Sequence, residues 1–260
     1  PAADFQTMSA DEGGVTFSLA AGDLARLIDK TRFAISTEET RYYLNGIFLH
    51  AVDGEREPRL RAVATDGHRL AQAELTAPNG AEAMPGIIIP RKTVSELQKL
   101  VEEPDATIGV EVSDSKIRVT IGAIVLTSKL IDGTFPDYGR VIPQGNDKIL
   151  EVDRDEFASA VDRVSTISSE RGRAVKLSLQ DGRLVLTVTN PDSGSATEEL
   201  SVDYGADALD IGFNSRYLLD ITGQLEGSTA IFRLADPGSP TLIQDKSAAD
   251  ALYVLMPMRV

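Results

Sequence analysis

The sequence predicts an α+β protein built from two repeats of one module, each with two helices packed on antiparallel sheets. Three observations carry that prediction. The chain has 260 residues, more than the commonest single domain, and its 42% hydrophobic and 25% charged residues are those of an ordinary globular protein. Short apolar runs and alternations bounded by turn formers dominate, and four stretches of helical periodicity interrupt them. The helical stretches also recur. Leu19 to Ile28 matches Val152 to Val161 in apolar spacing, and Ile89-Pro90-Arg91-Lys92-Thr93-Val94 parallels Phe213-Asn214-Ser215-Arg216-Tyr217-Leu218. We therefore expect a linker over residues 1–14, one module over 15–141 and a second over 142–260.

In the first module, a strand at Val15 to Leu19 leads into a helix over about Ala21 to Ile35. Leu24, Leu27, Ile28, Thr31 and Ile35 face inward, and Arg26 and Lys30, four apart, face outward. A strand from Ile47 to Val52 follows, then the turn-rich Asp53 to Pro58 and a strand running into Asp66-Gly67. Ile87-Ile88-Ile89 reads as a buried strand closed by Pro90. The helix after it, about Lys92 to Val101, turns Val94, Leu97 and Val101 inward and Lys92, Ser95 and Lys99 outward. Strands at Gly109 to Val112, Lys116 to Ile121 and Ala123 to Leu130 complete the module.

The second module repeats the plan. Strand Lys148 to Val152 enters a helix over about Asp153 to Ile167 with Phe157, Ala160, Val161 and Val164 inward. Ala174 to Gln180 and Arg183 to Thr189 alternate strictly around Asp181-Gly182, which predicts a hairpin closed by a type I′ turn. Strands at Leu200 to Tyr204 and Ala208 to Phe213 come next. Asn214 caps a helix that carries Tyr217, Leu218 and Ile221 inward, and strands at 229–234, 241–245 and 252–256 end the chain.

Composition narrows the chemistry. There is no cysteine, so disulfides and thiolate metal sites are excluded, and His50 and His68 are too few for most zinc sites; no metal or cofactor is expected. The opening Pro1-Ala2-Ala3-Asp4-Phe5 has none of the features of a signal peptide. No apolar run approaches the ~18 residues of a membrane span, which suggests a cytoplasmic protein. A net charge of −14 argues against a general nucleic-acid binder. A local basic strip can still act, because exposed charges are screened beyond roughly 8 Å at physiological salt.

Two stretches stand apart. In Val63 to Ala71, apolar shoulders bracket Asp66-Gly67, a turn in which glycine accepts positive φ, so that His68, Arg69 and Leu70 are displayed at the rim. The chain ends on Tyr253 to Val260, apolar where termini are usually polar. We expect the two to meet and form one adaptable pocket, with Met256 and Met258 as soft, repackable surface. Asp66, two residues from His68, could orient an imidazole for hydrolysis, but no Gly-x-Ser-x-Gly nucleophile elbow accompanies it. Gly13-Gly14 lacks the lysine and further glycines of a phosphate loop. Arg41-Tyr42-Tyr43 suits either base stacking and phosphate contact or a half-buried strand.

Five motifs in order, Arg41-Tyr42-Tyr43-Leu44-Asn45-Gly46, Ala64-Thr65-Asp66-Gly67-His68-Arg69-Leu70, Ile89-Pro90-Arg91-Lys92, Phe135-Pro136-Asp137-Tyr138 and Tyr253-Val254-Leu255-Met256-Pro257-Met258-Arg259, closely resemble the bacterial sliding clamp, the beta subunit of DNA polymerase III. The resemblance covers the second and third of that family's three domains, and Pro1 to Phe5 resembles the connector after the first. It implies two clamp-type modules from a head-to-tail homodimeric ring around duplex DNA. Such a ring has no catalytic activity and acts as a processivity factor. By motif, Arg41, Tyr42, Tyr43, Arg91 and Lys92 would face DNA; the channel faces inferred from periodicity add Arg26, Lys30 and Lys99. The resemblance also implies a groove of Leu44, Thr65, Gly67, His68, Arg69, Leu70, Pro136, Arg140, Val141, Val254 and Met256 for short peptides of the replicative polymerase, clamp loader and repair proteins. Leu70, Pro136, Val141 and Val254 would bury the apolar anchors, with Arg69 and Arg140 at the mouth.

Thr166 and Ile167 fall at the family's subunit interface, where Thr166 departs from its apolar pattern, and Asp53 to Pro58 is longer and more charged than the family's loop. The sequence alone therefore suggests a monomeric or weakly self-associating fragment. Two other readings stand beside the clamp: a peptide-binding module acting without DNA, and a hydrolase using Asp66 and His68.

Overall fold

The computed structural model describes residues 14–101, 103–168 and 173–260, so all but Gly14 of the expected linker lies outside the described residues. Alternation and turn chemistry generate the first set of elements: β1 (Val15–Ala20), α1 (Ala21–Thr31), β2 (Gly46–Val52), β3 (Arg59–Thr65), β4 (Arg69–Thr76), β5 (Ile87–Pro90), α2 (Arg91–Leu100), β6 (Thr107–Val112), β7 (Lys116–Ile121) and β8 (Ile124–Lys129). Apart from the first three residues of β4, they form one compact unit, which runs as far as Asp66 and resumes over Gln72–Pro136. One sheet has the order β1-β6-β7-β8, and the run β4-β3-β2-β5 supplies the other. Registers put like with like: Phe17 pairs with Val110 and Val110 with Val119, all buried, because residues directly opposite in an antiparallel ladder share a face.

The inner faces of α1 and α2, Leu24, Leu27 and Ile28 with Val94 and Leu97, are buried as the periodicity predicts. Burying each such leucine contributes about 1.5–3 kcal/mol. Two details differ from expectation. α1 stops at Thr31 and continues to Ala34 as a 3₁₀ turn; the Thr31 hydroxyl donates to the Leu27 carbonyl at 2.6 Å, a back-bond that bends helices. Lys30 is not outward but only 8% exposed. At 100° per residue it flanks the arc of Leu27 and Thr31, so its four-carbon stem is drawn under the surface.

The second unit comprises Gly67–Ala71 and Asp137–Val260. Its elements are β9 (Lys148–Asp153), α3 (Arg154–Ser165), β10 (Ala174–Gln180), β11 (Arg183–Asn190), β12 (Gly194–Ser201), β13 (Asp203–Tyr204), β14 (Leu209–Asn214), α4 (Ser215–Thr222), β15 (Thr229–Leu234), β16 (Thr241–Asp245) and β17 (Ala248–Leu255). The sheets run β12-β11-β10-β14 and β13-β9-β15-β16-β17. Both helices are capped by side chains: Asp153 accepts from the Asp155 and Glu156 amides at 3.0 and 2.9 Å, and Asn214 from those of Arg216 and Tyr217 at 3.0 and 3.3 Å. Phe157 and Phe232, centroids 5.1 Å apart, anchor a core that includes Val161, Phe213 and Leu218.

The chain divides between Pro136 and Asp137 rather than after Val141, because the 3₁₀ turn Tyr138–Val141 goes with the second unit. The Asp181-Gly182 hairpin is not closed by a type I′ turn. That turn needs positive φ at both central residues, and here Gly182 (φ 66°) has it while Asp181 does not. The expected strand over Leu200 to Tyr204 is two pieces, β12 from Gly194 to Ser201 and the short β13.

Candidate functional site

The ledge forms where β3 ends and β4 begins. Gly67 takes φ 88°, and Arg41, from the 3₁₀ turn Glu39–Leu44, donates to the Asp66 carbonyl at 2.9 Å and to the Glu38 carboxylate at 2.7 Å. The hydrogen bond that Arg41 donates to Glu38 is the largest influence holding its guanidinium above its ordinary range.

Within the second unit, the ledge and the end of the chain meet. The Met256 amide donates to the His68 carbonyl at 2.9 Å, continuing the ladder one residue beyond β17. Two residues on, the Met258 amide donates to the Gly212 carbonyl at 2.8 Å. Gly212 is required there: a Cβ would stand 2.7 Å from the Met258 carbonyl oxygen and closer still to the Val260 side chain.

Only His68 is displayed at the rim as the sequence predicts. Arg69 turns back onto α4, its side chain 10% exposed, with Nη1 2.5 Å from an Asp220 oxygen and the guanidinium carbon 4.2 Å from the Tyr217 ring centroid. The His68 ring also stacks on Tyr217, centroids 6.4 Å apart. Tyr217 is thus half-buried under the ledge rather than a core residue, and Asp220 follows it by one helical turn. Sequence reasoning missed both as site residues. Leu70 and Val254 are buried, 3% and 2% exposed, whereas Met256 and Val141 are exposed apolar side chains, at 39% and 47%. Arg140 is exposed and paired with Asp137 at 2.8 Å. Leu44 (buried), Thr65 (half-buried) and Pro136 (exposed) belong to the first unit.

The residues expected to face DNA are less uniform. Tyr42 is exposed and set edge-on to Tyr43, centroids 5.7 Å apart. Arg91 and Lys92 stand exposed on the first turn of α2. Lys99 is exposed and pairs with Glu96 at 3.0 Å, Arg26 is half-buried, and Lys30 is the exception already described. Thr166 is exposed at the end of α3, and the Ile167 carbonyl accepts from Asn190 at 2.6 Å. The hydrolase reading gains no support: the carbonyls of Asp66 and His68 serve as anchors for Arg41 and Met256, and the His68 ring rests on Tyr217.

Residues 18–137 match the family model of the DNA polymerase III beta subunit, central domain, and residues 139–259 that of its C-terminal domain. The chain belongs to the DNA polymerase III beta subunit family. Beta sliding clamps of Caulobacter vibrioides and Pseudomonas aeruginosa are 56% and 42% identical to it over 260 residues, covering all of this chain and 70% of each relative. A solved sliding clamp from Bartonella birtlesii, bound to griselimycin, is 57% identical with a TM-score of 0.96, again over all of this chain and 70% of that one. The α+β clamp fold read from the sequence is therefore the fold of the family.

Proposed function

We propose that this chain is a non-catalytic, cytoplasmic, nucleoid-associated clamp component that tethers the replicative polymerase and other proteins to duplex DNA. They would dock as short peptides on the Met256 surface. The observation carrying this reading is the hydrogen bond from Met256 to His68, which fixes the chain's apolar end beside the ledge and leaves Met256 and Val141 open. Polarizable methionine beside a rigid floor accepts differently shaped apolar side chains. Leu44, Thr65 and Pro136 join the proposed site through the family resemblance alone. Tyr42, Arg91 and Lys92 are the exposed groups best suited to DNA. Few strong phosphate contacts suit a sliding protein, since each adds grip, and a net charge of −14 is compatible with retention by encirclement.

Calorimetric titration with a peptide carrying a polymerase-type clamp-binding motif tests the pocket. Binding is expected, with competition between partner peptides at one site. Met256→Ala should weaken it about 10-fold, in line with loss of ~1.5 kcal/mol of apolar burial. No heat, or two peptides bound together, refutes the pocket. Alone, the chain is expected to sediment as a monomer or a weak self-associating species; a stable ring in that experiment contradicts the assembly part of the reading.

A further inference from the structure

Pairing registers in the second unit line up residues that share one face of its sheet. Leu150, Phe232, Ile243 and Tyr253 lie opposite one another across β9, β15, β16 and β17, and all are buried, so their row belongs to the inner face. The neighbouring row, Ile149, Arg233, Leu242 and Val254, belongs to the outer face, because successive side chains alternate across a strand. Cover falls along it. Val254, two residues from Met256, is 2% exposed, Leu242 and Arg233 are half-buried, and Ile149 is 42% exposed. A largely apolar strip thus leaves the proposed peptide site and crosses four strands to an exposed isoleucine.

The strip carries one charge, and the charges around it are already taken. On β9 and β16, Lys148 pairs with Asp147 at 3.2 Å, Glu151 pairs with Lys246, Asp153 caps α3, and Asp245 accepts from three backbone amides and the Ser247 hydroxyl. Arg233, on β15 between them, has no ion pair among the described residues. Its backbone is held firmly, since the Asn146 side chain donates to the Arg233 and Pro240 carbonyls at 2.8 Å each. A guanidinium rooted in this way between Leu242 and Ile149 suits a carboxylate flanked by apolar side chains. Neighbouring strands lie about 4.8 Å apart, so the row from Val254 to Ile149 is about 14 Å long, a span that about four residues of extended chain cover.

We infer that partner peptides seated at the Met256 surface continue along this row, with flanking residues that place an acidic side chain on Arg233 and an apolar one on Ile149. The inference rests on the proposed peptide docking and extends its footprint beyond the residues that the family resemblance supplies. Peptides with the same motif would then be ranked by what flanks it.

The test is calorimetric titration of the whole chain with a polymerase-type motif peptide and with two longer ones, in which Leu-Ser-Asp-Leu extends one end or the other. One extension should tighten binding about 5–10-fold over the motif alone, and the same extension with lysine in place of aspartate should gain less than about twofold. R233E should transfer that gain from the aspartate peptide to the lysine peptide, a swap that loss of structure cannot produce. I149S should cut the gain about threefold while leaving the motif peptide within about twofold of its parent affinity.

Extensions that bind no better than the motif peptide overturn the inference and leave the docking reading intact. A gain that survives both R233E and I149S also overturns it, because the contacts then lie elsewhere. If the motif peptide alone gives no heat, the docking reading fails and the strip is decided by the extended peptides. Binding that R233E switches from aspartate to lysine then supports it, and no heat overturns it.

Discussion

Asp220→Ala tests the brace under the ledge. Arg69 is 10% exposed and Asp220 32% exposed, with 2.5 Å between them, so the substitution strands a largely buried guanidinium over the Tyr217 ring. Breaking a fully buried pair costs about 3–5 kcal/mol and an exposed one about 0–1. Water reaching the vacated third of the site places this case near 2 kcal/mol, which for a unit of this size lowers Tm by roughly 6 °C. Thermal denaturation of the parent, D220A, R69M and the double variant closes a cycle whose coupling should be about 1–2 kcal/mol. The His68 carbonyl, which anchors Met256, is carried on the same ledge, so peptide affinity measured by calorimetry should fall about 3–10-fold with it. A Tm shift under about 1 °C with negligible coupling would refute the brace. A full loss of stability with unchanged peptide affinity would detach it from the pocket.

Three further outcomes are expected. His50 stacks on Phe48 with centroids 4.2 Å apart, and burial first, then the charge of Arg61, push its pKa down to about 4 from 6.5. The unfolded chain therefore binds a proton that the folded one refuses; stability is whole above pH 6.5 and falls by about 1–2 kcal/mol as pH drops toward 4, and urea titrations of H50Q should show a flatter dependence over that window. Burial raises the Asp245 carboxyl, but hydrogen bonds from Ser247, Gly227 and Glu226 outweigh it and hold the pKa at about 2; D245A should cost about 2–3 kcal/mol at neutral pH by thermal denaturation, with the parent losing that advantage only as pH falls from 3.8 through 2. Gly212→Val should lift the segment after Met256, cost about 1–3 kcal/mol and speed tryptic cleavage after Arg259, read by mass spectrometry.

Much of this was legible wherever one face of an element is buried. The inner residues of α1, α2, α3 and α4, Tyr217 excepted, follow from 3.6-residue spacing, and the Asn214 cap from its chemistry. β12 escaped because Gly194-Ser195-Ala196-Thr197-Glu198-Glu199 has no apolar alternation, and all six residues are exposed or only partly covered. Lys30 was misplaced because spacing locates a Cα, while a long stem chooses its own cover. The meeting of ledge and tail could be anticipated from two apolar stretches lacking local partners. The Arg69–Asp220 pair could not, since its members lie 151 residues apart and neither is unusual in its own segment.

The second unit is discontinuous in sequence. Its continuous part begins at Asp137, yet it also owns Gly67–Ala71. A truncation at that boundary, tidy on a domain map, would leave the Met256 amide without its acceptor and Asp220 without its cation. Anyone grafting or shuffling this module must carry the five-residue insert along with it. A transplanted C-terminal portion without that borrowed strip would lose the buried Leu70 and Ala71 from its core and the acceptor that holds its tail.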